Sequence, residues 1–286
     1  MGRSEPRLAH GVRLIVAYDG TDFHGWQAQP RVRTVQQTLE AALKAMGLET
    51  SRLRGASRTD AGVHAEGQVV SFACDRALPP AAFTLGLNGL LPADVSVRSA
   101  SAVDRRYDPR NDARGKLYRY RVFVGPTRDP LRRRQAWRVG PQLARPDVAR
   151  ADRRVVAEDY LDIEAMQAAA DAMVGTHDFR AFRASTDERE NTERTMRRIA
   201  ILPGYEGHPE QLAIEVEGTA FMKNMVRIFA GTLLDVGRHR LDVDRVRALL
   251  GSAGRRQDGG PTAPAHGLCL VRIELGRGDH PKAEHI

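Results

Sequence analysis

Two successive runs of one element order constrain this chain more than any other feature. Residues 12–18 read as a strand closed by the turn pair Asp19-Gly20, and Thr34-Val-Gln-Gln opens a helix at capping-box spacing. That helix carries Val35, Leu39, Ala42, Leu43 and Met46 on one stripe and stops at Gly47. Strands near 52–57 and 68–73 follow, joined by the loop Arg58-Thr-Asp-Ala-Gly-Val-His64, and a short helix over 80–90 and a strand over 95–103 complete the run. The second run begins with an alternating strand over 116–124 and a helix over 163–174 with Ile163, Met166, Ala170 and Met173 inward. Strands near 196–202 and 212–217 come next. A helix over 222–236 then buries Val226, Phe229, Leu233 and Val236, Asp242 caps another short helix, and residues 267–275 form the closing strand.

Two βαββαβ patterns predict an α+β protein of two ferredoxin-like halves sharing one extended antiparallel sheet. The boundaries fall at 8–110 and 111–276, with 277–286 a disordered tail and 141–158 an exposed, poorly patterned insertion. No sequence identity relates the halves, so the repeat is one of pattern. Split βαβ order also underlies RNA-recognition modules, although fold alone assigns no function.

Charge narrows the class of partner. Lys plus Arg total 44 against 36 Asp plus Glu, a net +8, and only four of the 44 are lysine, leaving 44 − 4 = 40 arginines. An acidic partner, nucleic acid first, suits that surplus. The surplus concentrates at 104–121, with Arg105, Arg106, Arg110, Arg114, Lys116, Arg119 and Arg121, and again at Arg128, Arg132, Arg133, Arg134 and Arg138. Tyr107, Tyr118, Tyr120 and Trp137 interleave with them, as in a phosphate track with stacking residues; taken singly, either run is an ordinary solvated linker. Arg105, Arg106, Arg114, Lys116, Arg119, Arg132 and Arg133 are the candidate RNA contacts. Cys74 and Cys269 both lie in apolar runs, which predicts neither a disulfide framework nor a cysteine metal site and fits a reducing cytoplasm. No apolar stretch approaches the roughly 20 residues of a membrane span.

Gly55-Ala-Ser-Arg-Thr-Asp-Ala-Gly-Val-His-Ala65 is the strongest local signal. It sets one carboxylate, Asp60, in a glycine-containing loop between strands. Spacing alone leaves two readings open: an exposed reactive carboxylate, or an ordinary turn in which Asp60 caps backbone donors.

This segment, with Tyr18-Asp-Gly-Thr-Asp-Phe-His-Gly-Trp-Gln-Ala-Gln29, Val35-Gln-Gln-Thr-Leu39, Lys116-Leu-Tyr-Arg-Tyr-Arg121, His177-Asp-Phe-Arg-Ala-Phe-Arg183, Met225-Val-Arg227 and Gly267-Leu-Cys-Leu270, resembles the TruA-type tRNA pseudouridine synthases over nearly the whole chain. Ser57 replaces the family's usual glycine, residues 184–196 depart from its common wording, and 141–158 is longer than usual. The resemblance implies the pseudouridine synthase fold and isomerisation of uridine to pseudouridine at positions 38, 39 and 40 of the tRNA anticodon stem-loop. It implies no cofactor and no metal, and a cytoplasmic homodimer acting on tRNA. Asp60 matches the nucleophile, attacking either C1′ or C6. Arg227, with Arg58 as the alternative, matches the cation that keeps it ionised, and Arg58 also matches a residue that displaces the flipped base. Tyr118 matches the residue that stacks on uracil, with Leu268 and Leu270 packing beneath, and His64 is structural or RNA-facing. The implied site has Asp60 of the first half meeting Tyr118 and Arg227 of the second. A non-catalytic RNA-binding protein on the same scaffold, and a synthase for another RNA position, are the rival readings.

Overall fold

The computed structural model describes residues 8–125, 127–140 and 156–276. Most of the 141–158 insertion and the 277–286 tail therefore lie outside the described residues. The chain divides into two compact units, Met1–Arg114 with Leu270–Ile286, and Gly115–Cys269.

The first unit opens with β1 (His10–Tyr18), α1 (Val35–Ala45), β2 (Arg54–Gly55), β3 (His64–Cys74), α2 (Pro80–Leu90), β4 (Val95–Val103) and the single turn α3 (Pro109–Asp112). β1 pairs antiparallel with β3 and β4 on either side, Leu14 standing opposite Val70 and Ala100. Period-two alternation puts Val12, Leu14, Val16 and Tyr18 on the buried face. Leu39 and Leu43 of α1 and Phe83 and Leu87 of α2 are fully buried as well, and the Phe83 ring meets Phe72 of β3 edge-on with centroids 6.0 Å apart. Thr34 caps α1 by accepting from Gln37 N–H at 3.4 Å, but the expected reciprocal bond is replaced. The Gln37 amide oxygen accepts from the Thr34 hydroxyl at 2.6 Å, while its Nε2 reaches Gln29 O at 3.0 Å. β2 is reduced to two residues on β3, shorter than the strand expected over 52–57, because Ala56 onward turns into the Asp60 loop. A register shift between Val16 and Tyr18 kinks the end of β1 and sets Tyr18 opposite Ala65.

The second unit contains most of β5 (Ala113–Val124), then β6 (Trp137–Val139), α4 (Ile163–Ala172), β7 (Gly175–Asp178), β8 (Glu193–Pro203), β9 (Gln211–Gly218), α5 (Met225–Gly237) and α6 (Val243–Leu249). Its strands run β5-β9-β8-β7 with antiparallel neighbours, and β6 lies parallel to β5 through Val122↔Trp137 and Val124↔Val139. The expected purely antiparallel sheet is thus a mixed one, since the turn before β6 returns the chain alongside β5 in the same direction. Alternation on β5 buries Tyr118, Tyr120, Val122 and Val124, as the pattern predicts. The closing strand, β10 (Leu268–Leu275), starts in this unit and belongs from Leu270 onward to the first, where it lies beside β3.

α5 departs from the expected amphipathic stripe. All its residues but Arg227 and Asp235 are buried. The stripe reading credits one covered face, but the second face of α5 is covered too, by the segment before β10: Gly260 N–H donates to the Thr232 hydroxyl at 3.0 Å, and a Cβ on Gly231 would stand 1.8 Å from Pro261 O. Phe229 packs with Phe179 and Phe182 at centroid distances of 5.5 and 5.0 Å. Gly231→Ala should therefore destabilise the protein by about 3 kcal/mol through overpacking, measured as a lowered urea midpoint.

Candidate active site

In the first unit, Asp60 sits on a turn closed by Val63 N–H on Asp60 O at 3.2 Å. Residues 18–26 wrap this turn. Trp26 N–H donates to Thr59 O at 3.1 Å, Gly62 N–H to Phe23 O at 3.2 Å, and the hydroxyls of Tyr18 and Thr59 share a buried hydrogen bond of 2.8 Å. The approach is close enough that a Cβ on Gly20 would lie 2.0 Å from Val63 O, and one on Gly25, at φ +90°, 2.7 Å from Thr59 O. Fully buried Gln68 braces the start of the loop, accepting from Ser57 N–H at 3.2 Å and donating to Ser57 O at 2.7 Å. His64 is buried behind the loop, its Nδ1 accepting from Gly20 N–H at 3.0 Å and lying 3.1 Å from Asp19 Oδ1, which fits the structural reading of this residue.

The turn-cap reading of Asp60 does not describe this geometry. The residue's carbonyl closes the turn, and within its own unit the carboxylate accepts no hydrogen bond among the described residues. Asp60 is partly exposed, and Arg58 of the same loop is exposed.

In the second unit, Tyr118 is buried on β5 and meets Phe221 edge-on, ring centroids 5.0 Å apart at 76°. Arg227 lies in the first turn of α5, where its charge opposes the positive end of the helix dipole. Its Nε donates to Ala263 O at 2.6 Å and its Nη1 to Asn224 Oδ1 at 3.0 Å, which fixes the guanidinium plane. Burial pushes the Tyr120 hydroxyl up, an effect the nearby Arg227 charge partly opposes. Tyr120 in turn donates to Pro264 O at 2.8 Å and packs against Gly267, immediately before buried Leu268 at the start of β10.

The candidate RNA contacts divide by what already holds them. Arg105, Arg106 and Arg114 are exposed in the first unit. Arg119 donates to Glu215 at 2.7 Å, a carboxylate shared with Arg198 at 3.1 Å. Arg132 pairs with Asp129 and contacts His208 at 3.0 Å, while Arg133 donates to Pro130 O at 2.7 Å. Lys116 is partly buried on β5, and burial, then the charge of Arg189, hold its ammonium below the usual lysine value. Among the described residues no group of His, Cys, Asp or Glu could hold a metal ion, and no helix is long and apolar enough to cross a membrane.

A family model described as tRNA pseudouridine synthase matches residues 14–110 and 169–274. The chain is 44% identical over 262 residues to tRNA pseudouridine synthase A of Citrifermentans bemidjiense, covering 92% of this chain and 96% of that protein. The protein of the same name from Myxococcus xanthus is 42% identical over 268 residues, covering 94% and 91%. The chain belongs to the tRNA pseudouridine synthase family. Members are isomerases acting on tRNA, and this chain is one of them. Asp60, Arg227 and Leu268 fall inside the ranges matched to the family model, and Tyr118 falls between them.

Sequence reading missed four participants of these tRNA pseudouridine synthase segments. Phe221 gave one signal, the lone aromatic in the short connection between β9 and α5. Arg189 stood among alternating charges with nothing to single it out. The Tyr18–Thr59 bond joins two recognised motifs without either spelling it. Asp187, also unflagged, organises this region: it accepts from Lys223 N–H at 2.8 Å and Arg189 N–H at 3.3 Å and pairs with the Arg189 side chain at 3.0 Å.

Tyr18→Phe strands the buried Thr59 hydroxyl, so it should cost about 1–2 kcal/mol in chemical denaturation and slow product formation while leaving the KM for tRNA unchanged. Burial raises the Asp187 carboxyl, but the N–H groups of Lys223 and Arg189 and the charges of Arg189 and Arg183 outweigh it, leaving a net depression. The stability Asp187 contributes is complete above its unfolded value of about 3.9 and is lost as pH falls through the lower folded value. Asp187→Asn should accordingly be less stable at neutral pH and show a flatter loss of stability below about pH 4, read by denaturant melts across that range.

Proposed function

We propose that this synthase converts uridine to pseudouridine at positions 38, 39 and 40 of the tRNA anticodon stem-loop, with Asp60 as nucleophile. The observation that carries the reading is the Asp60 turn: a partly exposed carboxylate, unused by the turn that presents it, on a backbone clamped from both sides. The reaction is an isomerisation. The N1–C1′ bond breaks, a C5–C1′ bond forms, and the hydrogen on C5 is exchanged for one on N1, so no oxidant and no energy donor is consumed. A carboxylate that adds to C1′ or to C6 holds one fragment while uracil turns. Rigid presentation serves that step, because a nucleophile displaced by an ångström loses much of its effective concentration.

The other roles follow the resemblance and the local geometry. Arg227, its plane fixed by Ala263 O and Asn224, is assigned as the cation that favours ionised Asp60. Tyr118, steadied by Phe221, is assigned to stack on the uracil, with Leu268 packing against it and Arg58 taking the place of the flipped base. A paired uridine is unstacked at a cost of a few kcal/mol, and shape and phosphate contacts from Arg105, Arg106, Arg114, Lys116, Arg119, Arg132 and Arg133 select the stem-loop. The resemblance further supports a cytoplasmic homodimer working without cofactor or metal. The ferredoxin-like reading of each half is supported in the first unit by the neighbour order β4-β1-β3-β2.

Unmodified tRNA transcripts incubated with the protein and mapped for pseudouridine test the whole assignment. Product is expected at 38, 39 and 40, and Asp60→Asn should lose at least about 10⁴-fold in rate while still binding tRNA. Product at other positions would overturn the specificity. Undiminished function in Asp60→Asn would favour the non-catalytic reading.

A further inference from the structure

The start of α5 is built in a way that helix formation alone does not favour. Asn224 stands where a side chain ordinarily accepts from a backbone N–H of the first turn, and here it makes no such bond. Its Oδ1 accepts instead from Nη1 of Arg227, three residues on, at 3.0 Å. Arginine is a donor only, so the amide must turn its oxygen, not its NH2 group, toward Nη1. The backbone of Asn224 is left-handed at φ +62°, yet its carbonyl accepts from Ile228 N–H at 2.9 Å and so belongs to the helix. A second hold on Arg227 comes from the segment before β10. Arg227 Nε donates to Ala263 O at 2.6 Å, and Ala263 N–H returns a bond to Arg227 O at 3.1 Å. That segment is itself seated on α5 through Gly260 and Thr232, and on β5 through the Tyr120 hydroxyl and Pro264 O.

We propose that Asn224 is a positioning residue for the isomerisation: its amide oxygen aims the Arg227 guanidinium without taking up its charge. The proposal rests on the reading of Arg227 as the cation that favours ionised Asp60. The choice of residue at 224 carries it. A left-handed backbone is easiest for glycine, and the positive end of the helix dipole is served best by aspartate. Asparagine is the optimum for neither. Of these three residues, however, only asparagine offers Arg227 a neutral acceptor. Glycine removes the acceptor. Aspartate keeps it but sets a negative charge at the 3.0 Å now spanned by the amide oxygen, and so draws on the attraction that Arg227 gives to another carboxylate. Ala263 O is neutral too, so both acceptors fix direction and leave the charge in place. A planar guanidinium bonded through two of its nitrogens has its plane defined.

The test uses the full chain and an unmodified tRNA transcript under single-turnover conditions, with maximal rate and half-saturation measured for wild type, Asn224→Gly and Asn224→Asp. Both substitutions suit the helix start, so melting temperatures should stay at or above that of wild type. Asn224→Gly should nevertheless lose about 10–100-fold in maximal rate, since one of the two bonds that define the guanidinium plane is gone. Asn224→Asp should lose about tenfold, since the orientation is kept and the charge is shared. Half-saturation by tRNA should be unchanged in both. A merely structural role predicts stable variants with undiminished rates. A wild-type maximal rate in either variant, or losses that follow lowered melting temperatures, overturns the proposal. So does weaker half-saturation at an unchanged maximal rate, which would make Asn224 an RNA contact. Arg227→Gln separates this inference from the reading beneath it. A near-wild-type rate in Arg227→Gln overturns both, whereas a loss there beside wild-type rates in the Asn224 variants overturns the inference alone.

Discussion

The close backbone approach between residues 20–26 and 59–63 is the constraint on which the Asp60 turn of the first unit depends. With a Cβ at Gly20 excluded by Val63 O and one at Gly25 by Thr59 O, two segments of chain touch without side chains between them. The hydrogen bonds across that contact, Trp26 to Thr59 and Gly62 to Phe23, then satisfy backbone groups that a looser loop would leave to water. The kink at the end of β1 belongs to the same device, since it sets Tyr18 where its hydroxyl meets Thr59. A carboxylate on such a turn keeps its position without spending its own oxygens. That separation of support from chemistry is what a nucleophile requires.

In the second unit the organising force is electrostatic. Arg227 occupies the helical turn where a cation is least welcome, and no acidic residue stands in that turn to offset it. Two directed hydrogen bonds, to Ala263 O and Asn224, hold it there. Asn224 itself sits at φ +62°, a left-handed backbone that costs a non-glycine residue energy, so the helix start is built around the arginine at a price in local stability.

Much of this was legible in the sequence, for identifiable reasons. α1 and β4 follow from local periodicity and their end signals, because each has one covered face and one open one, while β10 follows from an apolar run whose first three residues, Leu268, Cys269 and Leu270, are all buried. β6 was hidden by its length, three residues at the end of an arginine run, and β2 shrank because the demands of the Asp60 loop outrank the strand pattern around it. α5 was found but misjudged, since the burial of Gly231 and Thr232 depends on the segment before β10 and not on the helix's own pattern. The Asp60 loop was readable as a motif, but its presentation rests on Tyr18, Gly20, Gly25 and Trp26, whose contacts with it link positions far apart in the chain. Phe221 and Arg189 escaped for the same reason: Phe221 meets Tyr118 of β5, and Arg189 reaches Phe221 O, both far away in the chain.

The charge surplus shows why composition locates a partner class but not a site. Many of the 40 arginines are committed internally: Arg33 to Asp94, Arg110 to Asp108, Arg119 and Arg198 to Glu215, Arg132 to Asp129. Such pairs cancel at short range, and those at the surface contribute little to stability or to the field felt by RNA. The field that a polyanion meets is set by what such pairing leaves over, which the count of arginines does not give. Composition therefore fixes the class of partner, and only the pairing of each arginine in turn bears on where that partner can be met.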